Sequence, residues 1–305
     1  MDDVNASYRE KAVAFGEQRS LVGILTVPAG KHNDRAPHVI LLNSGVIHRV
    51  GANRLHVRLA RALSSVGITT LRFDLSGIGD SERRGAIPSL RESVERDIAD
   101  AIDHLSTTQG ATRFVLMGLC SGAFDAMHAA LGENRVVGAV MVDIPGPFQT
   151  WRFIVYHLGE RLFHFLSWRR PGEKAVFYSR AILSSVRTQP TAAGNGRYVI
   201  GGRSRAGRQR MAGQLETLLG GGVRLLVIFT PGVETNYNHR SLFRTTFPRA
   251  AAHPGLSFDY FAEADHIFSR DRERSRLVER VLAWMGNEPF GVAHDAGREA
   301  PRQPA

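Results

Sequence analysis

Short apolar runs alternate with segments of helical spacing along most of this chain. Ala12 to Phe15 and Leu21 to Val27 flank Gly16-Glu17-Gln18 and predict an opening hairpin. His38 to Leu42 is a continuous apolar run that stops at Asn43-Ser44-Gly45, the pattern of a buried strand entering a loop. Leu55, Leu59, Ala62, Leu63 and Val66 then recur at helical spacing over Asn53 to Val66, and Gly67 ends them. A strand is predicted over Thr69 to Phe73, and a helix on Leu90, Val94, Ile98, Ala101, Ile102 and Leu105. Arg113 to Met117 (strand), Ser121 to Leu131 (helix) and Val136 to Val142 (strand) follow. This rhythm implies an α/β fold, a mainly parallel sheet with helices on both faces, and places chemistry at the carboxyl ends of the strands.

The rhythm breaks at Pro145-Gly146-Pro147. Trp151, Ile154, Val155, Leu158, Leu162, Phe165 and Leu166 repeat at helical spacing, with Phe153, Tyr156, Phe163 and Trp168 on other faces. A stretch apolar on several faces needs more than one surface to cover it. It reads as a helical lid over the sheet or as a buried helix pair. Thr191 to Arg210 reads as a mobile loop. Strands at Val223 to Phe229 and Leu256 to Phe261, and helices at Asn238 to Phe247 and Asp271 to Met285, complete the pattern. The expected organisation is a first core segment (1–147), a lid insertion (148–220), a second core segment (221–286) and a disordered tail (287–305).

Composition narrows the classes. Of 305 residues, 43% are hydrophobic and 22% charged, which excludes wholesale disorder. The purest apolar run, Val136 to Val142, is too short to span a bilayer. The polar start Met1-Asp2-Asp3-Val4-Asn5 shows no signal peptide, so a cytoplasmic protein is expected. A single cysteine excludes an intrachain disulfide framework and a cysteine-rich zinc site; no metal or cofactor is expected. Net charge is +10, but the basic residues are scattered arginines, with lysine only at 11, 31 and 174. That scatter reads as a coding bias toward arginine, with a field that attracts an acidic carrier protein as the alternative; nucleic acid is not expected, because aromatic interleaving is sparse around Arg197 to Arg210.

The strongest chemical signal is Gly118-Leu119-Cys120-Ser121-Gly122, set between a predicted strand and a predicted helix. A nucleophile on such a tight turn needs small residues two positions away on each side, so that strand and helix can approach closely. Gly118 and Gly122 meet that need around Cys120, whereas Ser121 would have Leu119 and Ala123. The register therefore selects Cys120 as nucleophile and the Ser121 backbone N–H as an oxyanion donor. A thiol nucleophile needs a base. His266, in Glu263-Ala264-Asp265-His266-Ile267-Phe268-Ser269, follows the last predicted strand at the sheet's carboxyl end. Two carboxylates compete to orient it: Glu234, in the loop after Val223 to Phe229, is favoured, and Asp143, at the end of the preceding strand, is the alternative. A second oxyanion donor is expected in Asn43-Ser44-Gly45-Val46-Ile47-His48-Arg49, from the N–H of Gly45 or Val46, with His48 and Arg49 facing substrate or water.

Together these residues resemble the α/β-hydrolase superfamily. The elbow, the Asn43-Ser44-Gly45 loop, Phe73-Asp74-Leu75-Ser76-Gly77-Ile78-Gly79-Asp80-Ser81 and Asp265-His266 stand where that superfamily has its landmarks. Arg49-Val50-Gly51-Ala52-Asn53-Arg54 through Gly122-Ala123 is similar to exosortase-associated hydrolases and their serine-aminopeptidase-like relatives, a similarity that includes a cysteine-type elbow. The resemblance covers roughly residues 37–143 and 223–285 and implies the α/β-hydrolase fold; the expected helical lid rests on the apolar pattern alone. The chain departs from the general pattern in carrying Cys for Ser, and in offering Glu234 where Asp is usual. The expected function is acyl transfer through an acyl-cysteine, by hydrolysis or transfer from a thioester or activated ester on a small molecule or carrier. The alternative is a non-catalytic ligand binder on the same fold.

Overall fold

The computed structural model describes residues 7–30, 33, 35–85, 89–146, 205–233, 236–237, 240–287 and 290. Eight strands form the central sheet: β1 (Tyr8–Phe15), β2 (Leu21–Pro28), β3 (His38–Leu42), β4 (Thr70–Phe73), β5 (Phe114–Leu119), β6 (Val136–Val142), β7 (Arg224–Phe229) and β8 (Leu256–Tyr260). Their spatial order is β1-β2-β4-β3-β5-β6-β7-β8. β2 runs antiparallel to β1 and β4, and every other pair is parallel. The covering helices are α1 (Leu55–Ser65), α2 (Leu90–Gln109), α3 (Ser121–Gly132), α4 (Arg205–Gly220), the short α5 (Leu242–Thr246) and α6 (Pro248–Ala251), and α7 (Asp271–Asn287).

Successive side chains of a strand point to opposite faces, so a strand buried on both must be apolar at every position. Ile40, Leu42, Leu116, Met141, Leu225, Val227 and Phe229 pack with α2, α3 and α4, whereas Val39, Leu41, Val115, Met117, Val140, Leu226 and Ile228 pack with α1 and α7. This two-sided burial produces the unbroken hydrophobic runs in the sequence. Helix ends follow local chemistry: the Ser89 side chain accepts the Glu92 N–H at the start of α2, and Gly110 ends it in the left-handed conformation.

Three expectations need correction or limits. The single helix over Asn238 to Phe247 is instead α5 and α6, divided at Pro248, which occupies the first turn of α6. The loop predicted through Arg210 stops short of α4. Gly207 and Gly213 hid that helix, but Met211, Leu215, Leu218 and Leu219 form a helical stripe buried in the core, so 205–220 cover the sheet. The remainder of the expected lid, 148–204, lies outside the described residues, as does the tail beyond α7 apart from Phe290, which packs edge-on to Trp284.

Leu41, fully buried in β3, is expected to cost about 2–5 kcal/mol of stability on change to Ala. Leu90, exposed on α2, is expected to cost only about 0.5 kcal/mol. Urea unfolding of the two variants checks the contrast.

Candidate active site

β5 ends at Leu119 and α3 begins at Ser121, leaving Cys120 alone on the turn, with φ 55° and ψ −117°. Positive φ is a strained setting for a residue with a side chain, and it persists where surrounding structure over-determines it. Here the Cys120 N–H donates to Val142 O (2.9 Å), and its carbonyl accepts from Ala123 N–H (3.0 Å) and Phe124 N–H (3.2 Å). The flanking glycines are sterically required. A Cβ on Gly118 would lie 2.1 Å from the Gly122 carbonyl carbon, and one on Gly122 would lie 2.5 Å from Asn43 O. Cys120 is half-buried at the N-terminus of α3, where the helix dipole favours negative charge.

The register Val142↔Ile228 ends β6 and β7 side by side, which brings Asp143 beside Thr230. Thr230 donates its N–H to Asp143 Oδ1 (2.7 Å) and its hydroxyl to Oδ2 (2.5 Å). His266 Nδ1 lies 2.8 Å from the same Oδ2. The loop after β8 holds that imidazole in place. Asp265 accepts the N–H groups of Ile267 (3.1 Å) and Ser269 (2.9 Å), Phe268 is fully buried, and Asn53 Nδ2 donates to Ile267 O (2.9 Å). With Nδ1 engaged by Asp143, Nε2 is the ring nitrogen left for the sulfur, and Cys120 acts on the His266 imidazole electrostatically, favouring its charged form.

Burial disfavours the charged imidazole, but the hydrogen bonds and charges of Asp143 and Cys120 outweigh it and hold His266 up at about 10. The carboxylate that reaches His266 is thus Asp143, the alternative acid; Glu234, the favoured one, lies outside the described residues. Thr230 was missed by sequence reasoning, although its place directly after β7 and beside the end of β6 was legible once the strand order was known.

The loop after β3 is a tight turn. Ile47 N–H donates to Ser44 O (3.0 Å), Gly45 has φ 58°, and Gly45 N–H donates to Ser121 Oγ (2.6 Å). Asn43 pins the turn from within: its Nδ2 donates to Ile47 O (2.8 Å), and its Oδ1 accepts Leu75 N–H (2.8 Å). His48 and Arg49 do not stand free. The Arg49 guanidinium donates to Asp74 and to Asp80 (2.6 Å), and His48 Nε2 lies 3.3 Å from the Asp74 carboxylate. They therefore fasten the loop to the end of β4. His48, Asp74 and Asp80 could face a common metal ion, but Arg49 already supplies the positive charge those carboxylates need.

Comparison with known proteins agrees with this architecture. The model of the alpha/beta hydrolase family matches residues 39–283, and the chain belongs to that family. A hypothetical protein from Pseudomonas aeruginosa is 16% identical, with 93% of this chain and 95% of that one covered and a TM-score of 0.56. A carboxylesterase from Bacillus subtilis is 18% identical over 91% of this chain and 92% of its own, with a TM-score of 0.53. An α/β serine hydrolase without lid from Xanthomonas campestris is 14% identical over 92% and 97%, with a TM-score of 0.52. No curated protein sequence matches the chain. Among the described residues, no helix is long and apolar enough to cross a membrane.

A histidine raised from 6.5 to about 10 on folding lends stability that is complete below about pH 6.5 and is lost as pH rises through about 10. Nitrogen-15 NMR of His266 is therefore expected to show an imidazolium at pH 8, and Asp143→Asn to return its titration toward 6.5. Neutral imidazole at pH 8 in the native protein would contradict the assignment. Gly122→Ala is expected to lower stability by about 1–3 kcal/mol through overpacking against β3, measured by denaturant titration.

Proposed function

We propose that this α/β hydrolase cleaves or transfers an acyl group by way of an acyl-cysteine on Cys120, with His266 as acid and base and Asp143 as its orienting carboxylate. The observation that carries the reading is the hydrogen-bonded chain His266, Asp143, Thr230 at the same sheet edge as Cys120, which stands alone on a strained turn at the N-terminus of α3. The sulfur attacks the acyl carbon and forms a C–S bond, and the carbonyl oxygen takes the charge. Backbone N–H groups of Ser121 and the Gly45–Val46 turn receive that oxygen. The tetrahedral species collapses as the bond to the leaving group breaks, and His266 gives its proton to that group. Water, an alcohol or an amine then attacks the thioester, with His266 taking the incoming proton, and the C–S bond breaks to release the acyl product and return Cys120 as thiolate.

Leaving-group chemistry supports a thioester or activated ester as donor. Against an alkoxide, the cysteine sulfur is the better leaving group and the intermediate reverts; against another thiolate the two exits are balanced. Val46, Ile47 and Ile267 are three of only five large hydrophobic residues exposed among the described ones, and all three lie on the two loops that carry the site. That apolar rim suits an acyl chain. A chain of net charge +10 also suits an acidic carrier as the bearer of that acyl group.

Asp143→Asn is expected to lower kcat on an acyl thioester at least about 100-fold, because the imidazole loses its orienting charge, whereas Glu234→Gln is expected to stay within about twofold. The reverse pattern would move the acid to Glu234. Steady-state kinetics on short and long acyl thioesters, with matched oxoesters alongside, are expected to give a higher kcat/KM for the thioester of the same acyl group.

A further inference from the structure

The turn Ser44-Gly45-Val46-Ile47 offers two inner amides, and one of them is already used within the protein. Its closing bond takes the Ile47 N–H, and Gly45 N–H is held at 2.6 Å by the Ser121 hydroxyl oxygen. The Val46 N–H donates to no acceptor among the described residues, and neither does the Ser121 N–H at the first position of α3. Ser121 is buried, so its hydroxyl is packed in place and not left to rotate in solvent. Among the described residues, a Cβ built on Gly45 would meet nothing within 4 Å.

We propose that Ser121 has a second role through its side chain: its hydroxyl is a positioning group that ties the turn after β3 to the N-terminus of α3, and thereby assigns the loop half of the oxyanion hole to Val46 and not to Gly45. The inference rests on the acyl-cysteine reading and decides which amide serves it. The two donors, Val46 N–H and Ser121 N–H, belong to segments far apart in sequence. Asn43 and Arg49 anchor the far side of the turn, at Ile47 and at the end of β4. The Ser121–Gly45 bond is the direct link to the residue next to the nucleophile. Donor placement matters because an oxyanion contact acts only where it meets the oxygen as charge develops.

The test pairs amide exchange with kinetics in the full chain, for native protein, Ser121→Ala and Ser121→Thr. By NMR, the Gly45 amide is expected to be protected in the native protein, to exchange at least about tenfold faster in Ser121→Ala, and to regain protection in Ser121→Thr, which keeps the hydroxyl. Val46 is expected to exchange fast in all three. On an acyl thioester, Ser121→Ala is expected to lose about tenfold in kcat with KM within about twofold, and Ser121→Thr to recover much of it. Unchanged Gly45 exchange in Ser121→Ala overturns the tie. Turnover equal to or faster than native in Ser121→Ala also overturns the proposal, since freeing Gly45 N–H would then have supplied the donor. A native protein without acyl turnover defeats the acyl-cysteine reading instead, and the exchange pattern still decides the tie.

Discussion

Everything at this site depends on the close approach of three backbones around Cys120. β5 must turn into α3 within one residue, and α3 must press against the end of β3 at Asn43. Only the absence of a Cβ at Gly118 and Gly122 allows it. The strain of a left-handed cysteine is offset by the backbone bonds of that turn and by the packed sheet on either side. The result is a half-buried sulfur at a helix N-terminus, held at the carboxyl edge of a sheet whose neighbouring strands deliver the other groups.

The polar groups behind the sulfur are organised by strand adjacency. β6 and β7 pair through Val142↔Ile228, one residue before β7 ends, and Asp143 and Thr230, each the first residue past its strand, meet there. Thr230 grips both carboxylate oxygens, and the carboxylate in turn fixes the His266 ring. A buried carboxylate is costly unless hydrogen bonds compensate it, and here three donors do so. The same arrangement favours the charged imidazole despite its burial, which suits the proton donor of the proposed acyl transfer.

Much of this was legible in the sequence, for a physical reason. Two-sided burial makes β3, β5, β6 and β7 continuous apolar runs, and the glycine spacing around Cys120 states a steric requirement directly. What was not legible depends on paths through space. Two carboxylates followed adjacent strands, and spacing alone favoured Glu234 over Asp143; among the described residues, which do not include Glu234, the carboxylate on His266 is Asp143, because β6 ends beside β7. Arg49 looked free to meet a substrate, yet two carboxylates separated from it in sequence claim it. The start of α4 was hidden because glycine and arginine dominate its first turns, while the stripe that buries it begins only at Met211.

The most direct measurement is the mass of the Cys120 peptide after rapid acid quenching of the protein with an acyl thioester. The account predicts that this peptide gains the mass of the acyl group, that the gain disappears on treatment with hydroxylamine, and that His266→Ala suppresses it. An unmodified Cys120 during sustained turnover, or the acyl group found on another residue, would contradict it.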